Sequence, residues 1–133
     1  MASTITKAPP KVRPKHLNLM QIRQPLPAIM SIMHRMSGAA LFLFLPVLLW
    51  LLDKSLDTEI GYDRVTGILS LVIVKIVLAG LLWGFMHHFC AGIRYLFLDL
   101  HKGIDLASAR KTAAAVYFVS IPLTLVAAWL LLF

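Results

Sequence analysis

Residues 28–52 read AIMSIMHRMSGAALFLFLPVLLWLL, 25 residues in which Arg35 is the only formally charged side chain. A helix needs roughly 20 apolar residues to cross the hydrocarbon of a bilayer, so this stretch predicts a first transmembrane span. Working outward, residues 65–97 are interrupted only by Lys75, the His87–His88 pair and Arg94. Residues 112–133 hold no ionisable side chain except Tyr117. The expectation is an all-α integral membrane protein of three transmembrane helices, over about 28–52, 65–97 and 112–133. It forms an up-down bundle preceded by an arm over residues 1–27.

The composition agrees with lipid as the solvent. Apolar residues make up 59% of the 133-residue chain and charged ones 14%, against about 45–50% and about 25% in soluble domains. The net charge is +7. In a soluble protein that would raise nucleic-acid binding, but the apolar runs leave no broad polar face for a duplex. Topology is the better reading, because Lys and Arg collect on the cytoplasmic side. The arm carries Lys7, Lys11, Arg13, Lys15 and Arg23, and the segment after residue 97 carries Lys102, Arg110 and Lys111. Acids are in the majority between the first two spans. The amino terminus is therefore expected in the cytoplasm and the carboxyl terminus outside it. The opening MASTITKAPPKVRPKH has no apolar core of a signal peptide and is expected to stay on the chain. Cys90, the single cysteine, forms no internal disulfide.

Ionisable groups inside a span are costly and point to function by default. Ser31, His34, Arg35 and Gly38 fall at i, i+3, i+4 and i+7, one stripe of the first helix. Gly80, Gly84, His88 and Gly92 fall at steps of four along one ridge of the second. Glycines one turn from a histidine let another helix or a flat cofactor approach. Taken alone, His88 is either an interhelical hydrogen-bonding residue or a metal ligand. The depths match: Arg35 lies roughly 10 Å, and His88 about 15 Å, from the inner ends of their helices. A haem with its iron on His88 would have its propionates at the level of His34 and Arg35, where charge-assisted bonds offset the cost of the buried cation. His87 is turned about 100° from His88 and cannot face the same iron. It packs, or shares a face with Arg94. Arg94 and Asp99 read as boundary anchors that could pair, and Lys75 either snorkels outward or faces protein.

These residues carry a resemblance. Ser31-Ile32-Met33-His34-Arg35-Met36-Ser37-Gly38 resembles the S-x-x-H-R-x-S-G signature of succinate dehydrogenase cytochrome b subunits. His88-Phe89-Cys90-Ala91-Gly92-Ile93-Arg94 is similar to the family's H-x-x-x-G-I-R-H segment, with Asp99 where the family has its following acid. Arg13-Pro14-Lys15-His16-Leu17-Asn18-Leu19 is similar to its R-P-x-x-L entry. Tyr95 departs from the pattern, standing where many members have a second His.

The resemblance implies a haem b- and quinone-binding anchor of succinate:ubiquinone oxidoreductase in a bacterial inner membrane. His88 is then the axial iron ligand, and His34, Arg35 and Gly92 take part in binding the cofactor. Ser31 and Arg35 line the ubiquinone pocket, where hydroxyl and guanidinium stabilise charge developing on the quinone oxygens. A second small anchor subunit supplies the other axial His, and an iron–sulfur subunit and a flavoprotein dock on the cytoplasmic face. Succinate oxidation needs a flavin, so the chain carries the quinone side of the reaction and no succinate site. Two other readings are an anchor of a quinol:fumarate reductase and a haem-free scaffold for a soluble partner.

Overall fold

The structure, a computed structural model, describes residues 22–132. Among them are four helices: α1 (Leu26–Asp57), α2 (Glu59–Ser70), α3 (Val72–Asp99) and α4 (Leu106–Leu132). Helices α1, α3 and α4 are each long and apolar enough to cross a membrane. The three-span, all-α architecture expected from the sequence is thus the one observed.

Prolines mark the start of α1 without opposing it. Pro25 is its extended N-cap, and Pro27 sits in the first turn, where its missing N–H costs nothing. The Pro25 carbonyl accepts from the Ala28 and Ile29 amides at 2.9 and 3.2 Å. Pro46 and Pro122 lie inside α1 and α4, and both helices continue through them.

The helices overrun the expected spans. At a rise of 1.5 Å per residue, 32 residues of α1 extend for roughly 48 Å, well beyond a hydrocarbon core of about 30 Å. Its last turn is accordingly charged, with Lys54 lying 3.2 Å from Asp53 and 3.9 Å from Asp57. The chain then turns at Thr58, whose hydroxyl caps α2 by accepting from the Gly61 amide at 3.0 Å. Gly61 is required there: a Cβ would collide with the Lys54 carbonyl oxygen, so only glycine lets the start of α2 pack on the end of α1.

The stretch over 65–97, read from sequence as one span, is divided. Residue Leu71 is extended (φ −64°, ψ 131°) and separates α2 from α3. Neither proline nor glycine stands at this break. The third span also differs, since α4 begins at Leu106 instead of residue 112. Asp105 caps it, its carboxylate accepting from the Ser108 amide at 2.9 Å. Those bonds from Ser108 hold the Asp105 carboxyl below its ordinary pKa.

Helix α3 is central and packs against both α1 and α4. The core is small: Met30, Ala91, Ala113 and Val116 are buried, with Cys90, Tyr95 and Tyr117 packed around them. Small side chains at these crossings let the backbones approach closely, the usual basis of helix association in lipid. Most large apolar residues point outward, Phe42 at 75% and Phe118 at 80% exposure among them. Such a surface is suited to acyl chains or further apolar helices.

Candidate functional site

The crossing of α1 and α3 brings the polar stripe and the histidine ridge together. His88 lies over α1, its ring stacked on that of His34 with centroids 4.1 Å apart and planes 12° from parallel. Its Nδ1 lies 3.0 Å from the His34 carbonyl oxygen. A carbonyl can only accept, so Nδ1 carries the proton and donates it. The Ser37 hydroxyl donates to the same carbonyl at 2.9 Å and lies 3.3 Å from Nδ1. This tautomer leaves Nε2 with its lone pair, the form in which an imidazole binds a metal.

Glycines shape the surroundings of that ring. A Cβ on Gly38 would lie 2.7 Å from His88 Cε1, so the ring occupies the place a side chain would take. On α3, Gly84 faces Ser37, whose Cβ would be 3.9 Å from an added Cβ. Gly80 and Gly92 meet no heavy atom within 4 Å. The two outer glycines of the ridge therefore face open space, while Gly84 between them, like Gly38 on α1, serves the α1–α3 crossing.

The other predicted site residues take distinct positions. Ser31 is half-buried and Arg35 exposed, and Arg35 Nε donates to the Ser31 carbonyl at 3.4 Å. All six acids of the chain are among the described residues, and none pairs with Arg35. Tyr95 packs its ring against His34 from another side, with centroids 5.1 Å apart and planes tilted by 44°.

The opposite face of α3 carries His87, which packs there as expected, and Arg94, which departs from the expected pairing. Arg94 does not pair with Asp99. It turns to α4, where Nε donates to the Thr112 hydroxyl at 3.0 Å and Nη2 to the Ala109 carbonyl at 3.3 Å. His87 is fully buried between Trp83 and Tyr117, with ring centroids 5.3 and 5.1 Å away. Its two nitrogens and the Ser120 hydroxyl find no hydrogen-bond partner among the described residues. The 100° turn between adjacent helical residues, already visible in the sequence, sends His87 to α4 and His88 to α1. The Thr112 and Ala109 partners of Arg94 were missed because hydropathy placed the start of α4 too late. The Asp105–Ser108 cap was the available signal. His16 lies outside the described residues, as does most of the 1–27 arm.

Fold and site together define a class: a multi-pass all-α membrane protein with a polar histidine cluster at the crossing of two of its spans. Comparison with known proteins narrows this. The family described as succinate dehydrogenase/fumarate reductase transmembrane subunit matches residues 9–127, and the chain belongs to that family. Among its relatives is the succinate dehydrogenase cytochrome b556 subunit of Rickettsia prowazekii (strain Madrid E), 33% identical over 85% of this chain and 88% of the relative. The protein of that name from Paracoccus denitrificans is 31% identical over 84% and 85%. That from Coxiella burnetii (strain RSA 493 / Nine Mile phase I) is 33% identical over 89% and 96%.

Proposed function

We propose that this chain is the haem b-binding membrane anchor of a succinate:ubiquinone oxidoreductase in a bacterial inner membrane. In this reading it forms part of the site where electrons from succinate reach ubiquinone. The relatives are named cytochrome b556 subunits, and a b-type cytochrome needs an imidazole nitrogen that is unprotonated and held in place. The observation that carries the proposal is the hydrogen bond from His88 Nδ1 to the His34 carbonyl. It orients the ring and reserves Nε2 for iron.

The residues present fit the group. His88 would supply one axial ligand, and a partner anchor subunit the other. No group of three or more His, Cys, Asp or Glu side chains is placed to chelate an ion among the described residues. A single histidine suits a metal whose other ligands come from a porphyrin and a second chain. The open space at Gly92, one turn from His88, admits a flat ring against the α3 backbone. Arg35, without a carboxylate of its own, and His34 are the groups to receive propionates. When bound, haem b would supply a one-electron carrier.

Ubiquinone reduction requires two electrons and two protons and places negative charge on the ring oxygens as it proceeds. Ser31 and Arg35, one turn apart on α1, are the groups for this task. The hydroxyl orients one quinone oxygen, and the guanidinium stabilises charge that develops there. The chain works with an iron–sulfur subunit and a flavoprotein on the cytoplasmic side, and succinate is oxidised outside it.

Spectra of the purified complex test the reading. With succinate or dithionite as reductant, a b-type band is expected in wild type. His88→Leu should remove or displace the band. Ser31→Ala should leave the band and lower quinone reduction by about tenfold or more. A His88→Leu complex with normal haem content would refute the ligand assignment.

A further inference from the structure

Arg94 is only 8% exposed, yet its hydrogen bonds go to neutral groups, the Thr112 hydroxyl and the Ala109 carbonyl. None of the chain's six acids pairs with it. A cation this deeply buried needs a compensating anion, because neutral acceptors recover only part of the lost hydration. The place for that anion is adjacent. Arg94 lines a groove of about 420 Å³ between α3 and α4, which Lys102 also lines. Beyond the two cations and Thr112 the walls are chiefly apolar, with Ile93, Phe97 and Val119 on the rims. Those rims are 41%, 52% and 49% exposed, so the groove opens on the outer face of the bundle.

We propose that this groove binds an anionic phospholipid, with its phosphate on Arg94 and Lys102 and the upper part of an acyl chain against α3 and α4. Three observations select this occupant. From Cys90 to Phe97 the groove runs for roughly 10 Å of helix, a length suited to an extended chain and not to a globular partner. Its cationic end lies where α3 leaves its apolar stretch near Asp99, the depth at which a span of this length would meet headgroups. Lys102 is also fixed at that level. Its amide donates to the Phe97 carbonyl at 3.0 Å, and the His101 amide to Leu98 at 2.9 Å, closing the end of α3. The inference is independent of the haem and quinone assignments, since no group of the α1–α3 site lines this groove.

The test uses the whole complex, delipidated in neutral detergent and then titrated with dioleoylphosphatidylglycerol or dioleoylphosphatidylcholine. Retained lipid is read by native mass spectrometry and stability by the thermal midpoint. The glycerol lipid should bind and raise the midpoint, and the choline lipid should do so weakly. Lys102→Gln should weaken the anionic preference about fivefold, the contribution of one basic residue at a membrane surface. Ala115→Phe fills the groove and leaves both cations in place, and should abolish retention of the lipid at this site. Arg94→Gln, which disturbs the α3–α4 contact as well, is compared against these two. Equal binding of both lipids, or unchanged anionic binding in Lys102→Gln and Ala115→Phe, would overturn the proposal. Carbodiimide coupling of Lys102 to a partner-chain carboxylate in the lipid-free and lipid-loaded complex alike would do the same, by assigning the anion to a protein.

Discussion

At the scale of single residues, the site is organised by what glycine leaves out. Gly38 and Gly92 both flank His88, yet they have opposite environments. A Cβ at Gly38 would meet the His88 ring at 2.7 Å, whereas one at Gly92 would meet nothing. Gly38→Val should therefore force the ring off α1, break its bond to the His34 carbonyl, and cost about 1–3 kcal/mol of stability as overpacking does. Gly92→Val should cost the chain's own packing nothing. If a haem lies against that part of α3, the variant should still lose most of its haem, measured as pyridine haemochrome per complex. A Gly92→Val complex with full haem would remove this glycine from the cofactor site. The sequence made His88, His34 and Arg35 visible as polar groups at matching depths. It did not show the stack of His34 on His88 or the shared carbonyl. Those depend on how far α1 and α3 are rotated about their axes, which hydropathy does not encode.

At the scale of elements, the three long apolar stretches were legible because length and hydropathy alone determine whether a helix can cross lipid. The breaks between helices were not. Leu71 interrupts a run over 65–97 with no proline, glycine or side-chain cap at the break, so nothing local announced it. The start of α4 at Leu106 was obscured by Arg110 and Lys111. Charged residues end an apolar window without ending a helix. The close of α3 shows a related conflict between residue and backbone. His101 occupies the left-handed region (φ 57°) in the position that glycine normally takes at a helix end. His101→Gly relieves that conformation while the capping bonds from His101 and Lys102 remain, and should stabilise the complex by about 1 kcal/mol. His101→Val should destabilise it, since a β-branched residue tolerates positive φ poorly. Thermal midpoints of the two variants against wild type measure the difference. A lower midpoint for the glycine variant would show that the imidazole makes a contact with a partner subunit that outweighs the strain.

At the scale of the whole molecule, the bundle turns a scattered set of charges into an orientation. Met30 near the start of α1, Ala91 late in α3 and Ala113 early in α4 share one core cluster. The start of α1, the end of α3 and the start of α4 therefore lie at the same end. Arg23, Lys102, Arg110 and Lys111 gather there, while the opposite end, around Thr58, has Lys54 and Arg64. Lys and Arg counted over short loops bias an end toward the cytoplasm, whereas acids count little. This end also carries Arg35, His34 and the open glycine at 92, so a soluble electron donor docked there would face the proposed quinone site. The orientation has a direct test in living cells. Alkaline phosphatase is active only after export, so its fusion after Phe133 should be active and its fusion within residues 100–105 inactive. Green fluorescent protein, which folds in the cytoplasm, should give the reverse pattern. Replacing Lys102, Arg110 and Lys111 together by glutamine should weaken this asymmetry, and opposite activities in the two wild-type fusions would invert the assignment. An inverted bundle would place Ser31 and Arg35 on the far side of the membrane from the succinate-oxidising subunits. Electrons would then have to cross most of the bilayer to reach quinone, so the topology and the proposed quinone chemistry stand or fall together.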